Sequence, residues 1–115
     1  MTDFIKHTGT MPWIPLVEEG VDTGGLFYKS LRRDDANDRS PTILLKFDPG
    51  ASYPNHDHPG GEELFVLEGE IRVGDSTLRA GDYLYCPPGT AHAVSSRTGG
   101  ILLAVIPQEV RIVEE

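Results

Sequence analysis

The sequence predicts an all-β protein, on three observations. Glycine and proline are frequent, at 13 and 9 of 115 residues, and they stand at separated points rather than in one tract. Turn signals recur about every eight to ten residues, with short apolar runs between them. No segment carries an apolar period of 3.6 residues over three helical turns. Many short strands joined by tight turns make a sandwich or a closed barrel.

In chain order, residues 1–23 read as an irregular arm, interrupted by Pro12, Pro15 and Gly20. Trp13, Ile14 and Leu16 would pack this arm onto a barrel formed by residues 24–115. Strands are expected at 25–32 and 42–47, separated by a polar loop over 34–41, with the turn Asp48-Pro49-Gly50 closing the second. Residues 52–58 are extended, and Pro59-Gly60-Gly61 turns the chain. Further strands are expected at 62–68, 70–73, 77–79, 82–86, 91–95, 101–106 and 110–113. The run 62–68 is apolar on both faces, with Leu64 and Val66 on one and Phe65 and Leu67 on the other. A strand of that kind needs cover on its outside, and a homodimer whose interface includes part of the arm supplies it.

Composition excludes several roles. A formal charge of −8, with no local Lys/Arg cluster, repels phosphate backbones and anionic lipid. Nucleic acid and membrane are therefore not expected partners; a small molecule is. The single cysteine, Cys86, has no partner for an internal disulfide. The N-terminus lacks the basic and apolar runs of a secretory signal, so a cytoplasmic protein is expected.

Three of the four histidines and one carboxylate fall at metal-ligand spacings. His56 and His58 are two apart on an extended segment, so their side chains share a face. Glu62 follows the Pro59-Gly60-Gly61 turn, and His92 follows Pro87-Pro88-Gly89. Imidazole nitrogen and carboxylate oxygen suit zinc, iron, manganese or nickel. Any one of these residues alone reads as an ordinary surface or hydrogen-bonded side chain; their ordering gives them weight. Alternation does not decide between Glu62 and Glu63, because both faces of the strand are apolar.

The ordering resembles a known family. Gly50-x5-His56-x-His58-x3-Glu62-x6-Gly69 looks like the first cupin motif, and Gly81-x5-Pro87-x-Gly89-x2-His92 looks like the second. The run HDHPGGEE followed by VLEG, with Trp13 upstream, is most similar to the ChrR-like cupins. The spacing to Gly69 favours Glu62 over Glu63. Ser96 stands where the second motif usually carries asparagine, a position that is not a ligand in the family. The resemblance implies a small jelly-roll barrel holding one divalent ion (Fe, Mn, Ni or Zn) on His56, His58, Glu62 and His92. It covers dioxygenases that cleave small diketones or hydroxy-ketones, and oxidative cleavage of a small oxygen-rich molecule is the expected reaction. It also covers zinc-dependent sensing domains, so a stand-alone zinc-binding sensor or small-molecule-binding module is the alternative. Phe47, Tyr53, Tyr83 and Tyr85 flank the motifs and are the expected pocket residues, although core packing accounts for each equally well. His7, in the arm, reads as exposed, and Cys86 as a buried structural thiol with no histidine near it in sequence.

Overall fold

The computed structural model describes residues 4–113. Ten strands are found among them: β1 Ile14–Pro15, β2 Leu26–Asp34, β3 Arg39–Phe47, β4 Ser52–Asp57, β5 Glu62–Val73, β6 Ser76–Arg79, β7 Tyr83–Cys86, β8 Ala91–Ser95, β9 Gly100–Val105 and β10 Arg111–Ile112. Every pairing is antiparallel. The first sheet runs β1-β2-β3-β9-β5-β7, and the second joins β10, β4, β8, β5 and β6. The architecture is the double-sheet jelly roll of a small cupin barrel. No helix of the described residues is long and apolar enough to cross a membrane.

β5 ties the sheets together. Its first half pairs with β7 and β9, and its last four residues pair with β6. The expected break at Gly69 is instead a bend within one strand, and Gly69 takes a positive φ of 73° there. The expected loop over 34–41 is shorter than anticipated. A 3-10 turn at Asp35–Asn37, capped by the Asp34 side chain, closes a hairpin, and β3 already begins at Arg39 opposite Asp34.

The core lies between the sheets and includes Leu26, Phe47, Leu64, Val66, Ile71 and Leu102, each at most 3% exposed. Strict alternation along β5 sends Glu62, Leu64 and Val66 inward, and Glu63, Phe65 and Leu67 outward. Phe65 and Leu67 stay 38% and 43% exposed, so the arm does not cover them.

The arm is not wholly irregular. Ile14 and Pro15 extend the first sheet by pairing with Tyr28 and Phe27. Trp13 lies under two ammonium groups, with Lys29 Nζ 4.4 Å and Lys46 Nζ 5.3 Å from its ring centre. Lys29 is buried and donates to the Thr8 carbonyl at 2.7 Å, which satisfies an otherwise costly charge. Leu16 packs against the core.

Candidate metal centre

Four side chains from separate elements converge inside the barrel. His56 and His92 are directly opposed residues of β4 and β8, so they share the inner face of the second sheet. His58 lies just beyond β4, two residues on from His56. The turn after it closes with Gly61 N donating to the His58 carbonyl at 2.9 Å, and Gly61 supplies the positive φ of 80° that starts β5. Glu62, the first residue of β5, enters from the first sheet. The ligand atoms of His56, His58, Glu62 and His92 all lie within 4.8 Å of one another. Two ligands on opposite sides of one ion, each at about 2.0–2.3 Å, are separated by roughly 4.0–4.6 Å. The cluster therefore has the dimensions to hold a single metal ion.

Hydrogen bonding fixes which nitrogens face inward. His56 Nδ1 is 2.8 Å from the Pro54 carbonyl, and His58 Nδ1 is 3.1 Å from the Thr90 carbonyl. A carbonyl only accepts, so both Nδ1 atoms carry the proton and both Nε2 atoms present a lone pair in the neutral rings. His58 Nε2 is buried and has no hydrogen-bond partner. It faces Glu62 Oε1 at 3.1 Å, out of hydrogen-bonding alignment, whereas His92 Nε2 is hydrogen-bonded to the same oxygen at 3.2 Å. A lone pair turned toward a carboxylate oxygen in a buried site is repelled unless a proton or cation lies between them. The donor set thus fits a divalent cation, by orientation as well as by type.

The electrostatics agree at Glu62 and His56. Burial alone would raise the Glu62 carboxyl, but the imidazoles of His58 and His92 beside it outweigh burial and bring the group down to about 2. Burial drives His56 down to about 4, against the raising effect of the Pro54 carbonyl, so its ring stays neutral and ready to ligate. Burial also lowers His58, but the carboxylate of Glu62 overrides it and lifts the ring above its ordinary value.

A cavity of about 110 Å³ adjoins the cluster, with His56 and Glu62 in its wall. Phe47 and Tyr53 line it as well. Tyr83 and Tyr85 do not, which corrects their assignment as pocket residues. On β7 the inward positions are Leu84 and Cys86, and the two tyrosines point outward at 57% and 54% exposure. Glu63 is likewise outside, accepting from the Tyr83 hydroxyl at 2.6 Å. His7 is exposed, far from the cluster in sequence and bound only through its carbonyl to the Thr8–Thr10 turn. Ser96, almost fully buried, donates to the Glu70 carbonyl and accepts from Gly99 N, so it ties β5 beside its Gly69 bend to the turn that leads into β9.

Two neighbours of the site have no signal in the linear sequence. Cys86 Sγ sits 3.4 Å from His92 Nδ1, because β7 brings Cys86 opposite Glu62 and the Pro87–Thr90 turn returns the chain to His92. Burial raises its thiol to about 11, with the Glu62 charge adding to the effect, so it is an inert buried group beside the histidine. Glu18, from the arm, lines the cavity and accepts from the Tyr53 hydroxyl at 2.6 Å.

A jelly roll with three imidazoles and one carboxylate directed into its barrel defines a metal-binding cupin. The sequence model of the ChrR cupin-like domain matches residues 1–110, and the chain belongs to that family. No curated protein sequence matches the chain. Among solved structures it is similar to an acetylacetone dioxygenase from Acinetobacter johnsonii, at 19% identity and a TM-score of 0.80, over 96% of this chain and 76% of that one. It is similar to the polyketide cyclase RemF from Streptomyces resistomycificus, at 22% identity and a TM-score of 0.79, over 96% and 85% of the two chains. An RmlC-like cupin from Shewanella frigidimarina shares 26% identity at a TM-score of 0.70, over 90% and 89%.

Proposed function

We propose that the chain is a cytoplasmic metal-dependent dioxygenase that cleaves a small oxygen-rich substrate, a diketone or hydroxy-ketone, with Fe(II) held by His56, His58, Glu62 and His92. The observation that carries this reading is the apolar cavity beside the cluster, with His56 and Glu62 in its wall, through which a ligand would reach a bound ion. Four protein ligands leave two positions on an octahedral ion, enough for a chelating pair of oxygens. The fold likeness to an acetylacetone dioxygenase supports the same substrate class. The cavity, at about 110 Å³, is smaller than the roughly 150 Å³ that accommodates benzene, so a polycyclic substrate does not suit it.

Bound iron would supply Lewis acidity and one-electron chemistry. The chain's own residues do the rest. The Pro54 and Thr90 carbonyls hold the rings of His56 and His58 with Nε2 inward. Glu62 remains ionised at neutral pH, and the apolar wall, which includes Leu45, Phe47 and Leu102, keeps water from the reacting carbons. In the overall reaction one carbon–carbon bond breaks and two carbon–oxygen bonds form, with dioxygen as co-substrate supplying both oxygens. An oxygen electrode tests this: iron-loaded protein with pentane-2,4-dione or 3-hydroxybutan-2-one is expected to consume one dioxygen per substrate lost, and zinc-loaded protein none. No uptake with any small diketone or hydroxy-ketone would contradict it, and a four-coordinate zinc site without bound water would favour the stand-alone sensor.

The working unit is proposed to be a homodimer. Tyr83, Phe65, Leu103 and Leu44 are consecutive cross-strand partners on the outer face of the first sheet. Phe65 and Tyr83 are 38% and 57% exposed, and the arm reaches only the far side of this face, at Lys29 and Lys46. A symmetric partner would cover the row. Sedimentation at micromolar concentration is expected to give twice the 12.6 kDa chain mass; a species of 12.6 kDa would rule the dimer out.

A further inference from the structure

The cavity wall is apolar except at four residues, Glu18, Tyr53, His56 and Glu62. His56 and Glu62 belong to the metal cluster. Glu18 and Tyr53 do not, and they are joined by a 2.6 Å hydrogen bond between segments 35 residues apart. Tyr53 also packs edge-on against His56, with ring centres 4.9 Å apart, so the pair adjoins the cluster through that ring.

The position of Glu18 is built by the backbone around it. Leu16 N donates to the Leu26 carbonyl at 2.9 Å, the Thr23 hydroxyl donates to the Leu16 carbonyl, and Val21 N donates to the Glu18 carbonyl at 3.2 Å. These bonds fold residues 16–26 into a compact loop whose one acidic side chain in the cavity wall is Glu18. A carboxylate in an apolar wall is costly unless its oxygens find donors. The Tyr53 hydroxyl supplies one donor to one oxygen, and a carboxylate can accept several.

We infer that Glu18, held in place by Tyr53, reads a hydrogen-bond donor on the ligand. This rests on the open metal site proposed above and narrows its substrate class. The ligand has chelating oxygens at one end, an apolar body of a few carbons, and a hydroxyl at the end that meets Glu18. A plain diketone offers the carboxylate no donor, and a carbonyl or enolate oxygen turned toward it is repelled. Among diketones and hydroxy-ketones, those that carry a further hydroxyl beyond the chelating pair are therefore the preferred substrates. Glu18 is a specificity-determining residue, and Tyr53 positions it.

Two probes test this on zinc-loaded protein by titration calorimetry: butyrohydroxamic acid and 4-hydroxybutyrohydroxamic acid. They share the chelating head and differ by one terminal hydroxyl. The hydroxyl probe is expected to bind about tenfold more tightly, the usual scale for a hydrogen bond to a charged group. Glu18→Ala is expected to bring the two affinities together. Should Glu18→Ala not fold, Glu18→Gln keeps the size and a weaker acceptor, and should reduce the preference at least threefold. Equal binding of the two probes to the wild-type chain, or a preference that survives at Glu18→Ala or Glu18→Gln, would overturn the inference and leave the open metal site standing. Failure of both probes to bind would overturn the open site and this inference together.

Discussion

The His58→Ala variant is expected to retain less than about a tenth of the wild-type metal content after gel filtration, and to lose the metal-induced rise in melting temperature. His58 is fully buried, and its Nε2 is a buried nitrogen without a hydrogen-bond partner. Removing the ring also leaves the Glu62 carboxylate with fewer groups to offset its burial. Loss even of groups that merely orient a ligand typically lowers metal affinity 10- to 100-fold, and loss of a ligand costs more. A ligand that binds only the native state stabilises it by about 4 kcal/mol at a thousand times its dissociation constant. The wild-type chain should show a shift of that kind on metal addition and the variant should not. The barrel itself should still fold, because the apolar content of β3, β5 and β9 does not depend on the ion. Elemental analysis alongside thermal melts checks both halves, and full metal occupancy in His58→Ala would remove it from the ligand set.

Gly69→Ala is expected to be the more damaging change to the fold, costing about 3–5 kcal/mol from strained backbone and overpacking together. A Cβ on Gly69 would come within 2.2 Å of the Gly99 carbonyl oxygen and 2.8 Å of the Gly100 Cα. Both are backbone atoms of the neighbouring segment, so neither can swing aside. The residue also holds a φ of 73° at the bend where β5 passes between the sheets. A domain of this size is stable by only about 5–15 kcal/mol, so much of the variant should be insoluble. Gly50→Ala is the control: its φ is 87°, but nothing lies within 4 Å of the added carbon, so only backbone strain of about 1 kcal/mol is expected. Equal urea midpoints for the two variants would contradict the close approach at Gly69.

The strands and the four-residue cluster are legible because both depend on local signals. Glycine and proline mark the turns around β4, β5, β7 and β8, and the two motifs carry the clustered residues at fixed offsets from those turns. Register was not legible. The polar residues Arg39 and Ser40 read as loop, and they become strand only because the Asp35–Asn37 turn sets them beside β2. Alternation leaves Glu62 and Glu63 open and the spacing to Gly69 favours Glu62; the inner face of β5, marked by Leu64 and Val66, places Glu62 inside once the core is seen. Tyr83 and Tyr85 were read by proximity to a motif, whereas the parity of β7 sends them outside with Glu63. Cys86 meets His92, and Glu18 meets Tyr53, through contacts that no sequence spacing encodes.

The proposed centre is one ion held by His56, His58, Glu62 and His92 with an open side toward the cavity. X-ray absorption on the protein loaded with one equivalent of iron, compared with the same measurement on Glu62→Gln and Glu63→Gln, tests it most directly. The predicted result is five or six light-atom neighbours at about 2.0–2.3 Å, imidazole scattering from three histidines, and a coordination shell changed by Glu62→Gln but not by Glu63→Gln. A closed four-coordinate shell, sulfur in the first shell, or a shell altered by Glu63→Gln and indifferent to Glu62→Gln would contradict it.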